Sequence, residues 1–184
     1  MEFEVVFEKC NPICYNFIDE RYEIYDSTEE QLPIIRGDIM INDENIGYIT
    51  LLEFCDIDNF YELCDIFSGD SEAIACAVCN KSGRISQKFL PNKSTCKSVC
   101  ILDKIVIEEK FRGMGIGSII TKNIFSIIRN QFGASVIFLN ASDFESANKY
   151  GFESLEYKNG TSRLVNFYKK AGFITIKDNI MFIK

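Results

Sequence analysis

The segment Arg112-Gly113-Met114-Gly115-Ile116-Gly117-Ser118 sets three glycines at alternate positions between a basic side chain and a hydroxyl. An apolar run, Ser98–Ile107, precedes it. Isoleucines at 116, 119, 120, 124, 127 and 128 follow, a helical spacing that ends at Gly133. A glycine loop between a strand and a helix suits an anion. The first turn of a helix leaves four backbone N–H groups without partners and carries partial positive charge. Glycine lets the backbone close on a phosphate and take positive φ. Arg112 adds a charge at the entrance and Ser118 a hydroxyl. Two familiar phosphate loops do not fit. A dinucleotide loop needs G-x-G-x-x-G, and these glycines are each two apart; a P-loop needs Lys after its last glycine, where Ser118 stands.

The chain has no histidine. That removes Ser-His-Asp and Cys-His catalysis and His-metal sites. Acid–base chemistry must fall to carboxylate, Tyr, Lys, Cys or water. All eight cysteines lie in residues 1–100. Cys76-x-x-Cys79 and Cys96-x-x-x-Cys100 come close to a four-thiolate zinc pattern. Yet the runs that carry them are apolar and lack Gly or Pro turns, which favours reduced, buried thiols and no metal. The N-terminal segment is acidic and strand-like, not a secretory leader, and no apolar run approaches the roughly 20 residues that cross a bilayer. A cytoplasmic protein with no membrane contact is expected.

The net charge of −7 is uneven. Residues 1–100 carry 19 acidic and 8 basic side chains, and residues 101–184 carry 8 and 12. An acidic chain is a poor match for nucleic acid. A positive half holding the glycine loop suits an anionic ligand, and the acidic half a cationic one.

The elements that must position the loop follow from periodicity. Glu2–Cys10 predicts a first strand, and Pro12–Asp26 is expected to be helical in part. Leu32–Cys55 predicts a hairpin around Asn42–Asn45. Asp58–Phe67 and Ser71–Asn80 predict two short helices broken at Ser68–Ser71, and 81–97 a polar loop. Ser98–Ile107 predicts a strand with Ile101, Ile105 and Ile107 on one face, shared by Asp103. Ala134–Ser142 predicts another strand. A helix over Thr161–Gly172, capped by Thr161 or Ser162, and one or two strands over Phe173–Lys184 complete the chain. Segment 143–160 has no clear assignment. The alternation implies a single α/β domain, 1–184, with a mixed sheet. Residues 1–97 form the front half, on the acceptor side; residues 98–184 form the half that binds the anion.

Arg112, Gly115 and Gly117 match the template R/Q-x-x-G-x-G/A after a strand. Phe167-Tyr168-x-x-x-Gly172-Phe173 matches a second template, apolar-Tyr-x-x-x-Gly-Phe. In this order and separation they resemble the GCN5-related N-acetyltransferase (GNAT) superfamily, over residues 98–184. The resemblance implies a mixed, mostly antiparallel sheet flanked by helices, with a bulged strand splayed from its parallel neighbour to form an acyl-CoA cleft. It implies acetyl-CoA as co-substrate and an N-acetyltransferase acting on a primary amine of a small, polyamine-like compound or of a protein or peptide. It implies cofactor contacts from the backbone of Ile105, Val106 and Ile107 and from Arg112, Gly113, Met114, Gly115, Ile116, Gly117 and Ser118. Where the family often has Asn seven residues before the Tyr, this chain has Thr161. Tyr168 is the implied general acid for the departing thiolate. Asp103 or Glu53 is a possible base. A monomer or homodimer is expected. The alternatives are a non-catalytic acyl-CoA binding or sensing module on the same fold, and a zinc-stabilised interaction domain.

Overall fold

Runs of β-branched residues at alternate positions build the centre of the molecule. The computed structural model describes residues 4–10, 14–16, 21–23, 34–55, 57–91 and 98–184. The strands before the first helix are β1 (Glu4–Cys10), β2 (Cys14–Asn16), β3 (Arg21–Glu23), β4 (Ile34–Ile41) and β5 (Glu44–Phe54). α1 (Phe60–Phe67) and α2 (Gly69–Val78) follow, then β6 (Ser98–Ile107), α3 (Ile116–Phe132) and β7 (Ala134–Asn140). The chain continues through α4 (Phe144–Tyr150), α5 (Leu155–Lys170), β8 (Ile174–Lys177) and β9 (Ile180–Ile183). Seven strands form one sheet in the order β1-β4-β5-β6-β7-β9-β8, while β2 and β3 pair with each other. Within the seven, β6 and β7 run parallel and every other neighbour pair is antiparallel.

Each face of the sheet buries its own core. On one face lie Ile116, Ile120, Ile124 and Ile128 of α3, packed on Ile49, Leu51, Cys100, Leu102 and Leu139, with Leu164 and Tyr168 of α5 against them. The i, i+4 recurrence of those isoleucines turns one stripe of α3 inward; Ile119 falls off it and is 51% exposed. On the other face α1 and α2 cover an aromatic cluster. Phe60 there meets Phe54 edge-on at 4.8 Å, and Phe89 meets Phe182 at 5.3 Å. Among the described residues no helix is long and apolar enough to cross a membrane.

Two irregularities in β6 shape everything downstream. Thr50 of β5 pairs with Lys104, and Leu51 with Leu102, so Asp103 opposes no residue and forms a β-bulge. The bulge overturns the expected single face for Ile101, Ile105 and Ile107. Ile101 packs on the aromatic side, and Ile105 and Ile107 pack on the α3 side. One inserted residue reverses the alternation beyond it. The second irregularity is that pairing with β7 ends at Leu102–Leu139, although β6 runs on to Ile107. Residues 103–107 therefore have β5 on one edge and, among the described residues, no strand on the other.

Two expectations are corrected. α5 begins at Leu155, six residues before Thr161, because Ser154 caps it by accepting the Tyr157 N–H at 3.1 Å. Gly160 does not break it. A Cβ there would stand 1.8 Å from Asp143 Oδ2, so glycine is what lets the α4 cap lie against α5. Within Pro12–Asp26, expected to be helical in part, the described residues 14–16 and 21–23 are paired strands. The hairpin of Leu32–Cys55 turns where expected, with Asn42 and Asp43 at φ 48° and 65°, a conformation these two side chains tolerate.

Candidate active site

The gap beside residues 103–107 opens into a cleft of about 370 Å³. β6 supplies Asp103, Lys104, Ile105 and Val106 to its wall; Tyr168 enters from α5 and Asp70 from α2. A larger groove of about 720 Å³ lies between β1 and α3; Tyr168 does not border it, and the glycine loop borders neither cavity.

At the end of β6, Glu108 N–H donates to Ile46 O at 2.9 Å and Lys110 meets Glu44 at 2.7 Å. These ties hold the turn Glu109–Phe111 against the β4–β5 hairpin. Arg112 Nε donates to Ile107 O at 2.9 Å, folding the loop back on its strand. Gly113 and Gly115 take φ of 79° and 83°, a region other residues enter at a cost of about 1–2 kcal/mol. Gly115 is the N-cap of α3; no side chain caps that end and no acid lies in its first turn. The first N–H groups of the helix are left for solvent or an anion. Gly117 has ordinary φ, and a Cβ on it would merely touch Ile107 and Phe167 at 3.5 and 3.6 Å. The fold itself does not demand glycine at 117.

Tyr168 is wedged edge-on between Phe167 and Phe173, with ring centroids 5.1 and 5.5 Å away. Burial pushes its phenol up to about 12. Of the two possible bases, Asp103 lines the cleft, where it accepts a hydrogen bond from Thr50 Oγ1 at 3.1 Å. Burial raises its pKa against the opposing pull of Lys104 and of that hydrogen bond. Glu53 is elsewhere: it is 2% exposed, opposite Cys100 on β5, and does not border the cleft. Thr161 also stands apart, its hydroxyl accepting the Asp143 N–H at 3.1 Å.

Asp70 escaped the reading of the sequence. It sits in the first turn of α2, which starts with a reciprocal Ser68–Ser71 capping box. Its pKa is pushed up to about 6, first by burial and then by the charge of Asp103, against a hydrogen bond from Asn140 and the charge of Lys104. Its side chain remains open to solvent at the cleft mouth. Ser68–Ser71 was expected as a break before a helix from Ser71, but α2 begins at Gly69, and nothing in the chain marked the cleft.

The three described cysteines of the zinc-like pattern are not brought together. Cys100 is buried on the α3 face, Cys79 packs on the aromatic face and Cys76 is exposed. Cys96 lies outside the described residues.

A mixed seven-stranded sheet, a bulged central strand, one parallel pair that parts, and a glycine loop opening the following helix define a GNAT-like fold. No family model and no curated protein matches the chain. Among solved structures, the aminoglycoside acetyltransferase AAC(6')-Ib in complex with coenzyme A aligns with TM-score 0.41 and 16% identity, over 82% of this chain and 66% of that one. AtaT complexed with acetyl-methionyl-tRNAfMet aligns with TM-score 0.41 and 19% identity, over 82% and 70%. The KacTA–DNA complex aligns with TM-score 0.47 and 13% identity, over 98% and 92%. At these scores the assignment rests on the topology above.

Proposed function

We propose that the protein is an acetyl-CoA-dependent N-acetyltransferase acting on an amine. One observation carries the reading: among the described residues no strand lies beside β6 beyond its Leu102–Leu139 pair with β7, Tyr168 reaches the cleft there, and the start of α3, which no side chain caps, follows in the chain. An extended amide-bearing arm can pair with that edge as an added strand. Its diphosphate would lie at the N–H groups of residues 115–118, beside Arg112. A backbone N–H of Ile105, Val106 or Ile107 would polarise the acetyl carbonyl. Cleft walls carrying Asp70, Asp103, Asp143 and Glu145 against Lys104 suit a cationic acceptor.

A phenol near 12 keeps its proton at neutral pH and meets the substrate as a donor. Burial makes this phenol a weaker acid than usual, so full transfer of its proton to the departing thiolate is disfavoured. Tyr168 therefore serves by a hydrogen bond that strengthens as charge builds on sulfur, and the thiolate takes its proton from water afterwards.

The test is thiol release from acetyl-CoA across a panel of amines, amino acids and peptides, with coenzyme A binding followed by calorimetry. Tyr168→Phe is expected to lose about 100-fold in turnover, the scale of one positioned proton donor, and to bind coenzyme A as before. Binding without turnover on any amine would leave a sensing module instead. A Kd weaker than about 1 mM would remove the assignment.

A further inference from the structure

We propose that Asp70 is the carboxylate that takes the proton from the acceptor nitrogen, with Asn140 as its positioning residue. This rests on the acetyltransferase reading above. Four carboxylates line the cleft: Asp70, Asp103, Asp143 and Glu145. Asp143 is committed, one oxygen accepting from Ser146 N–H at 3.0 Å and the other from Ser146 Oγ at 2.7 Å, as the cap of α4. Asp103 is tied to Thr50 and sits on the strand whose edge would take the acyl arm. Glu145 stands exposed on the first turn of α4. Asp70 approaches from α2, on the face of the sheet opposite α5 and Tyr168. The proton acceptor and the donor to sulfur thus reach the cleft from two sides, as breaking C–S and making C–N requires.

Asp70 is also held. Asn140, at the end of β7, donates from Nδ2 to Asp70 Oδ1 at 3.3 Å. In this orientation the amide's Oδ1 accepts from Ser142 Oγ at 2.9 Å and from Asn179 Nδ2, which turns its Nδ2 toward Asp70. Among the described residues Asp70 Oδ2 has no donor. In the step itself a neutral amine attacks the acetyl carbon. Asp70 takes a proton from the nitrogen, now positive, as the C–S electron pair leaves with sulfur. The thiolate is protonated by water, and Asp70 returns its proton to solvent.

Asp103 and Lys104 of β6 act on Asp70, and the other titratable groups bordering the same cleft are Asp143 and Glu145 of α4 and Tyr168 of α5. The experiment measures kcat against pH at saturating acceptor, with coenzyme A affinity and thermal unfolding as controls. The unsubstituted chain is expected to show an acid limb near 6. Asp70→Asn should lose that limb and about 100-fold in kcat, and Asp70→Glu should restore part of both. Asn140→Ala, which removes a donor to the carboxylate, should move the limb to higher pH. Asp103→Asn, which removes a like charge, should move it lower. A limb that persists in Asp70→Asn and vanishes in Asp103→Asn would transfer the role to Asp103. A limb that none of these changes moves would overturn the inference and leave the acetyltransferase reading standing. Absence of thiol release from the unsubstituted chain with every amine would overturn both.

Discussion

Gly47 offers a direct test of whether the outer half of β6, beyond its pairing with β7, is the working part of the cleft. It pairs with Ile107 across β5 and β6. A Cβ at Gly47 would stand 2.1 Å from the carbonyl oxygen of Val106 and 3.0 Å from Ile107 Cα. Both are backbone atoms, so no rotamer change relieves the clash. In Gly47→Ala the outer half of β6 must retreat by about 1 Å, and overpacking of this kind costs about 1–3 kcal/mol. For a chain of this size that lowers Tm by roughly 2–12 °C. The control is Gly37→Ala on β4. There an added Cβ would meet ring carbons of Phe7 at 2.6 and 2.7 Å, a side chain on an edge strand that can swing aside. Gly37→Ala should lose stability alone. Gly47→Ala should also lose function, because a displacement of about 1 Å at a reacting centre costs up to 100-fold. Differential scanning calorimetry and the KM and kcat for acetyl-CoA read the two effects separately. If Gly47→Ala kept both constants within about twofold while losing stability, residues 105–107 would not be holding the acyl arm.

Gly117→Ala is the converse case. Its methyl finds room in the fold, and Ala exceeds Gly in a helix by up to about 1 kcal/mol, so calorimetry should show Tm unchanged or raised while coenzyme A affinity falls. Affinity that did not change would place the diphosphate elsewhere. For Asp70 the folded pKa is raised, so its protonated form is favoured in the fold. The stability it confers is present in acid and is lost as pH rises through about 6. Urea unfolding at pH 5 and pH 8 should therefore show Asp70→Asn gaining on the unsubstituted chain at the higher pH, and a gain at the lower pH would contradict the sign.

Much of the fold was legible because long elements announce themselves. The isoleucine stripe of α3, Ile119 apart, the glycines that end α3 and α5, and the β-branched runs of β4 to β7 fell where expected. The glycine loop was legible because positive φ at residues 113 and 115 restricts residue choice. The resemblance implied a bulge in this strand but not its position, because an unpaired residue in a strand looks the same in sequence as a paired one. The bulge reversed the reading of Ile101. The start of α5 was missed because Gly160 imitates a break, and only its contact with Asp143 explains it. Asp70 was out of reach because two elements meet across the cleft, 33 positions apart in the chain from Asp103, with no local signal for either.

Asp103 also divides β6 into two stretches of opposite parity. Before it, even positions answer to the α3 core; after it, odd positions do. The demands of packing and of ligand contact are thereby set on independent phases of one strand. Deleting that single residue would restore unbroken alternation and keep Cys100, Leu102, Ile105 and Ile107 all toward α3, so the core would survive while the bulge beside the cleft would be lost.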